Sequence, residues 1–301
     1  MSQEIGRLLT AMVTPFDAER RVDYAQARRL AQALVASGSD GLVVSGTTGE
    51  SPSLSTEEKL RLFAETKEAV GDTASIVAGT GSYNTAESQE LTREAERAGV
   101  DAVMAVVPYY NKPPQEGLYL HFKAIAEATS LPLILYNVPS RTSLNMTHET
   151  TLRLAEVNNI LGVKEASSDF DQIARIIAGA PSGFRVWSGN DNETYPIMCM
   201  GGYGVVSVAS HLVGAQIKGM MQLTLDGRLE QAAEEHHRLH PIFKALFFVS
   251  NPIPVKYALN RAGFPIGDPR LPLVPPTEQT AAQIDAVVSG YQLDISVPAA
   301  S

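Results

Sequence analysis

The chain has 301 residues, of which 44% are hydrophobic and one is cysteine, with a net charge of -9 and an isoelectric point near 5.2. That length can bury a core of one barrel or of two smaller domains, and the acidic balance argues against nucleic acid or an anionic membrane as the main partner, since both need clustered Lys and Arg. The N-terminus has no apolar signal core, no run is long enough to span a bilayer, and a lone cysteine suits a reducing compartment, so a cytoplasmic protein is expected, with Cys199 buried in the apolar stretch 195–200.

Short Val- and Ile-rich runs alternate with longer amphipathic stretches. Strands are predicted at 9–15, 41–46, 75–79, 102–107, 133–136, 161–164, 185–188 and 205–208. Near-continuous apolar runs of this kind belong to parallel strands covered on both faces. Ser55 and Asn84 each stand three residues before a Glu and mark helix starts, while Gly38, Gly71 and Gly99 mark helix ends. Eight βα units without a composition break predict an α/β fold, a (β/α)8 TIM barrel over 1–225, followed by a C-terminal helical extension over 226–301 in which Asn251-Pro252-Ile253-Pro254 separates two helices. An open doubly wound sheet is disfavoured because no dinucleotide glycine fingerprint follows the first strand.

In such a barrel the chemistry gathers at the carboxyl ends of the strands. The second strand runs into Gly46-Thr47-Thr48-Gly49-Glu50-Ser51, whose glycines let backbone N–H groups aim at an anion; the Lys-Ser/Thr pair of a nucleotide loop is missing, so a carboxylate fits better. The fourth ends in Pro108-Tyr109-Tyr110-Asn111-Lys112-Pro113, a proline-stiffened loop with two phenols. The fifth ends in Tyr136, able to relay protons, followed by Arg141, able to grip a carboxylate through two parallel hydrogen bonds. The sixth places Lys164 inside an apolar run, with Gly162 and Ala166 on the same face and Val163 and Glu165 on the other. Burial disfavours an ammonium, and the common use of such a lysine is attack on a carbonyl to form a Schiff base. Small neighbours on its face are expected to leave a cavity around the amine. The seventh and eighth strands add Ser188-Gly189-Asn190-Asp191 and Gly201-Gly202-Tyr203-Gly204-Val205-Val206, which could let backbone approach a ligand. His236 and His240 stand at metal-ligand spacing on a helix but read as a solvated charged face, and no metal or cofactor site is expected.

Taken together and in this order, these motifs, with Thr10-Ala11-Met12-Val13-Thr14-Pro15-Phe16 at one end and Asn251-Pro252-Ile253-Pro254-Val255-Lys256 at the other, closely resemble the dihydrodipicolinate synthase family of the pyruvate-dependent class I aldolase superfamily. The resemblance implies condensation of pyruvate with L-aspartate 4-semialdehyde, the entry step of the diaminopimelate route to lysine. It gives Lys164 as the Schiff-base nucleophile and Tyr136 as general acid/base, linked through the Thr47 hydroxyl to Tyr110 of a neighbouring subunit. Thr47 and Thr48 would hold the pyruvate carboxylate, Arg141 would receive the carboxylate of the semialdehyde, and Gly189 and Val206 would line the pyruvate site. A homotetramer built from two tight dimers is implied. N-acetylneuraminate lyase and 2-keto-3-deoxygluconate aldolase share the lysine and tyrosine, but Arg141 and the Tyr109-Tyr110 pair favour an acidic aldehyde over a sugar.

Overall fold

The computed structural model describes residues 4–296. Its centre is a closed barrel of eight parallel strands in sequence order: β1 (Leu8–Ala11), β2 (Gly41–Val44), β3 (Ser75–Gly79), β4 (Ala102–Val106), β5 (Leu133–Asn137), β6 (Ile160–Glu165), β7 (Arg185–Ser188) and β8 (Gly204–Ser207), with β8 pairing back onto β1. Helices α1 (Tyr24–Ala36), α2 (Thr56–Val70), α3 (Thr85–Arg97), α4 (Gln115–Ala126), α5 (Pro139–Thr142), α6 (His148–Ala155), α7 (Phe170–Gly179), α8 (Thr194–Cys199) and α9 (Ser210–Leu225) alternate with the strands. Then come α10 (Leu229–Ala245), α11 (Ile253–Arg261) and α12 (Glu278–Val288). Helix α10 packs along α9 and α12, and α11 also touches α9. No helix among the described residues is long and apolar enough to cross a membrane.

Strand alternation sorts the core into two compartments. Leu9, Val43, Val77, Ile134, Trp187 and Val206 pack together inside the barrel, while Leu8, Leu42, Ile76, Val163, Val186 and Val205 join the layer between strands and helices. Both faces of each strand are thus dry, which is why the sequence shows continuous apolar runs and not an alternating pattern.

The strand ends are set by local geometry. β2 stops at Val44, two residues short of its predicted end, because Ser45 turns to φ +56° and leaves the extended region. The turn folds back over β3 so closely that a Cβ on Gly79 would lie 2.4 Å from the Ser45 carbonyl oxygen, so only glycine fits there. β5 and β6 each run one residue further than predicted, since Asn137 and Glu165 pair in register.

The helix caps follow the sequence signals. Ser55 Oγ accepts from Glu58 N–H while the Glu58 carboxylate accepts from Ser55 N–H, a complete capping box. At α3, Asn84 Oδ1 accepts from Ala86 and Glu87 N–H, but Glu87 binds the Asn84 amide and not its backbone, so the reciprocal half is not made. Gly38, Gly71 and Gly99 all follow helices with positive φ. Cys199 is exposed, contrary to expectation: helix α8 turns Ile197 and Met198 inward, and Cys199 falls on the outer face. No three potential metal-ligating side chains converge among the described residues, and the His236 ring stacks on Tyr195.

One buried histidine ties the mouth of the barrel together and makes its stability depend on pH. His211 Nε2 accepts from Val13 N–H after β1, so Nδ1 carries the proton and donates to the Val208 carbonyl after β8. Burial pulls the His211 imidazole down to about 4, and that of His121 likewise. Both rings are neutral in the folded protein across the range where an unfolded histidine, titrating near 6.5, takes up a proton. Their contribution is fully present above roughly pH 6.5 and is lost as pH falls toward about 4, at a cost of up to about 3 kcal/mol for the fully enclosed His211. Urea midpoints measured from pH 7 to 4 should fall along that window. In a His211→Gln variant the slope should flatten; an unchanged slope would remove His211 from the account.

Candidate active site

Inside the barrel, Tyr136 on β5, Lys164 on β6 and Trp187 on β7 are neighbours in register. The inward face carries the predicted phenol and amine: Lys164 is 5% exposed, and its Nζ sits 4.1 Å from the centre of the Tyr136 ring. No ion pair or hydrogen bond engages that nitrogen among the described residues, so its lone pair or protons are free for a ligand. The cavity expected around the amine lies above it, where Lys164 lines a cleft, while below it the face of Gly162 is filled. The Trp187 indole fills it: a Cβ on Gly162 would meet the ring at 2.9 Å and the Arg185 carbonyl at 2.1 Å. The indole N–H donates to the Gly6 carbonyl, so the lower barrel is closed and the amine opens only upward.

The outward residues of the same strands brace this pair. Asn137 Nδ2 donates to both Glu165 carboxylate oxygens at 3.1 Å, and Gln172 Nε2 and Ser167 N–H donate to them as well. Asn137 Oδ1 accepts from Met146 N–H. Burial raises the Glu165 carboxyl, and these hydrogen bonds oppose the rise. On the other flank, Asp191 is wholly buried and accepts from Ser207 Oγ (2.5 Å), Val208 N–H and Ala209 N–H. Burial pushes its carboxyl up, against those donors and the nearby charge of Lys164.

Two adjoining cavities of about 220 and 300 Å³ open at the carboxyl ends of the strands and share Thr47, Tyr136, Val138 and Arg141. The second is also lined by Lys164, Thr48, Gly189, Asn190 and Asn251. Thr48 is buried and its hydroxyl accepts from Asn251 Nδ2 at 2.9 Å; Arg141 is exposed, with one guanidinium nitrogen 3.3 Å from the Asn251 carbonyl. A carbonyl compound bound here would meet an amine below, hydroxyl and backbone groups on one wall and a guanidinium at the rim.

Of the residues singled out in the sequence, Lys164, Tyr136, Thr47, Thr48, Arg141 and Gly189 converge on this cleft. Val206 lies in the barrel interior without lining it, and Val208 does so instead. Tyr110 is elsewhere, 89% exposed on its loop at φ +70°. Tyr109 lines the first cavity and stacks edge-on with Tyr83 at 5.1 Å. Asn251, Asp191 and Lys256 were not anticipated as site residues; the only sequence signal was that each falls within a recognised motif.

A closed parallel barrel with an amine at its carboxyl mouth places this chain among the (β/α)8-barrel enzymes. A model of the dihydrodipicolinate synthetase family matches residues 4–290, and the chain belongs to that family. It is 57% identical over 295 residues to the 4-hydroxy-tetrahydrodipicolinate synthase of Dehalococcoides mccartyi (strain CBDB1), covering 98% of this chain and 99% of that one. Among solved structures, a dihydrodipicolinate synthase of Bacillus anthracis superposes with a TM-score of 0.94 at 43% identity, covering 96% of this chain and 99% of that one. The dihydrodipicolinate synthase of Acinetobacter baumannii, complexed with pyruvate, superposes with a TM-score of 0.92 at 37% identity, covering 95% and 98%.

Proposed function

We propose that this protein is a lyase that condenses pyruvate with L-aspartate 4-semialdehyde to give 4-hydroxy-tetrahydrodipicolinate, in the diaminopimelate route of lysine biosynthesis, and that it works in the cytoplasm. The observation that carries the reading is the Lys164 amine, sheltered beside the Tyr136 ring at the floor of a cleft with Thr47 and Thr48 on its wall and Arg141 at its rim. Lys164 Nζ attacks the ketone carbon of pyruvate, and the carbinolamine loses water to give an iminium. That cation acidifies the adjacent methyl group, which loses a proton and leaves an enamine. The enamine carbon adds to the aldehyde of the second substrate, whose own amine then closes the ring on the iminium carbon and releases Lys164.

Tyr136 supplies and removes protons beside the imine, with Thr47 passing them on to Tyr110 of a neighbouring subunit. An exposed phenol suits that role because it lies outside its own cleft, and the reading includes a homotetramer in which two chains complete each site. Thr47, Thr48 and Gly189 shape the pyruvate site, with Val206 behind it in the barrel interior. The barrel holds the reacting groups, and the helices that follow residue 225 pack against it. The acidic aldehyde is favoured over a sugar aldehyde by the guanidinium of Arg141.

Borohydride with pyruvate should reduce the iminium to a stable adduct on Lys164, located by peptide mass spectrometry, and an unmodified Lys164 would refute the reading. Comparing turnover of aspartate semialdehyde with that of keto-deoxy sugar acids tests the substrate. Arg141→Met should leave pyruvate trapping intact while raising the KM for the semialdehyde about 10- to 100-fold, the worth of a charge-assisted hydrogen-bonding pair. A loss of trapping in that variant would move Arg141 to the pyruvate side.

A further inference from the structure

The turn that carries Thr47 and Thr48 is held from the far end of the chain. Glu50 sits in the left-handed region at φ +57°, and its N–H closes the turn on the Thr47 carbonyl at 3.1 Å. Its carboxylate is buried: Oε1 accepts from Lys256 Nζ at 2.8 Å and Oε2 from Arg270 N–H at 2.9 Å. Lys256, on α11 and 1% exposed, also donates to the Thr14 carbonyl (3.0 Å) and the Asp268 carbonyl (3.4 Å), and lies 4.1 Å from the Phe16 ring centre. Thr14 in turn donates its hydroxyl to the Gly49 carbonyl at 2.7 Å. Asn251, just before α11, reaches Thr48 Oγ1. Every residue of the turn from Thr47 to Glu50 is therefore fixed, directly or through one neighbour, to α11 and the segments flanking it.

A buried ion pair is a poor means of gaining stability, because desolvation consumes most of the attraction and an apolar pair of similar volume often does as well. What it does supply is direction. The carboxylate can be satisfied only with the turn in one place, and a 1 Å error in that place costs up to about a hundredfold in a ligand-positioning site. We propose that Lys256 and Glu50 are positioning residues for the carboxylate of the 2-oxo acid, clamping the turn so that Thr47 and Thr48 present their backbone and hydroxyl donors to it. The inference rests on the function proposed above, in that a 2-oxo acid is the ligand beside Lys164.

The test is the double variant Glu50→Gln/Lys256→Met, which removes both charges at nearly constant volume, together with Glu50→Asp, which keeps the charges and draws the turn inward by one methylene. The readouts are the urea midpoint, the pyruvate concentration giving half-maximal borohydride trapping at Lys164, and the two KM values. Both variants should keep a cooperative unfolding transition. The half-saturating pyruvate and the KM for pyruvate should rise together by about tenfold or more, with the semialdehyde KM changing far less. If the double variant does not fold, Glu50→Asp alone decides. A variant that folds and traps with the wild-type pyruvate curve overturns the proposal and leaves the pair as a staple. Wild-type protein that pyruvate and borohydride do not modify overturns the Schiff-base reading itself, so the two failures are distinct.

Discussion

Lys164→Met should fold as the parent does and lose activity by a factor on the order of 10⁴ or more, the scale seen when an enzyme loses its covalent nucleophile. Folding is expected to survive because Lys164 has no ion pair or hydrogen bond to strand among the described residues, and methionine fills nearly the same volume against the Tyr136 ring. The chemical loss is large because no other amine can take its place: Lys256 is the other deeply buried lysine, and its nitrogen is committed to Glu50 and two carbonyls. The measurement is paired, steady-state turnover alongside pyruvate-dependent borohydride labelling. Activity within tenfold of the parent would show that the reaction does not pass through this nitrogen.

The second large effect is Tyr136→Phe. The ring remains in the barrel interior, so packing is kept, while the hydroxyl alone is deleted. Loss of a positioned acid/base group lowers kcat on the order of 10²- to 10⁴-fold. Labelling of Lys164 should become slower yet still reach completion, because the nucleophile is intact and only its proton carrier is gone. A kcat reduced by no more than a few-fold would assign the proton transfers to another group or to water.

How much of this was legible beforehand follows from the range of the interactions. The eight strands could be read because each is apolar on both faces, and Lys164 stood out as a charge in the middle of such a run. Period-two alternation also placed Glu165 correctly on the opposite face, where Asn137 and Gln172 receive it. The bracing of the mouth was not legible. Lys256 meets Glu50 across 206 residues of sequence and Asn251 meets Thr48 across 203, and nothing local to either partner announces the other. The bounds of β3 and β7 were read as they stand, whereas ends of the other strands were missed by one to four residues, as at β1, which stops at Ala11 and not at 15. They depend on where a neighbouring strand stops offering hydrogen bonds and on turns such as Ser45 leaving the extended region, neither of which is written in composition. Cys199 was misjudged because an apolar sequence neighbourhood does not say which side of a two-turn helix faces out.

Trp187 is the only indole in the chain. It lies fully enclosed on the barrel axis, edge-on to Tyr203 at 5.2 Å, and its strand position is level with that of Lys164. All the red-most ultraviolet emission of the chain therefore originates from one dry spot beneath the Lys164 amine. The molecule carries a native optical gauge of its own axis, silent to events on the outer helices and responsive when the floor beneath a bound keto acid shifts or lets in water.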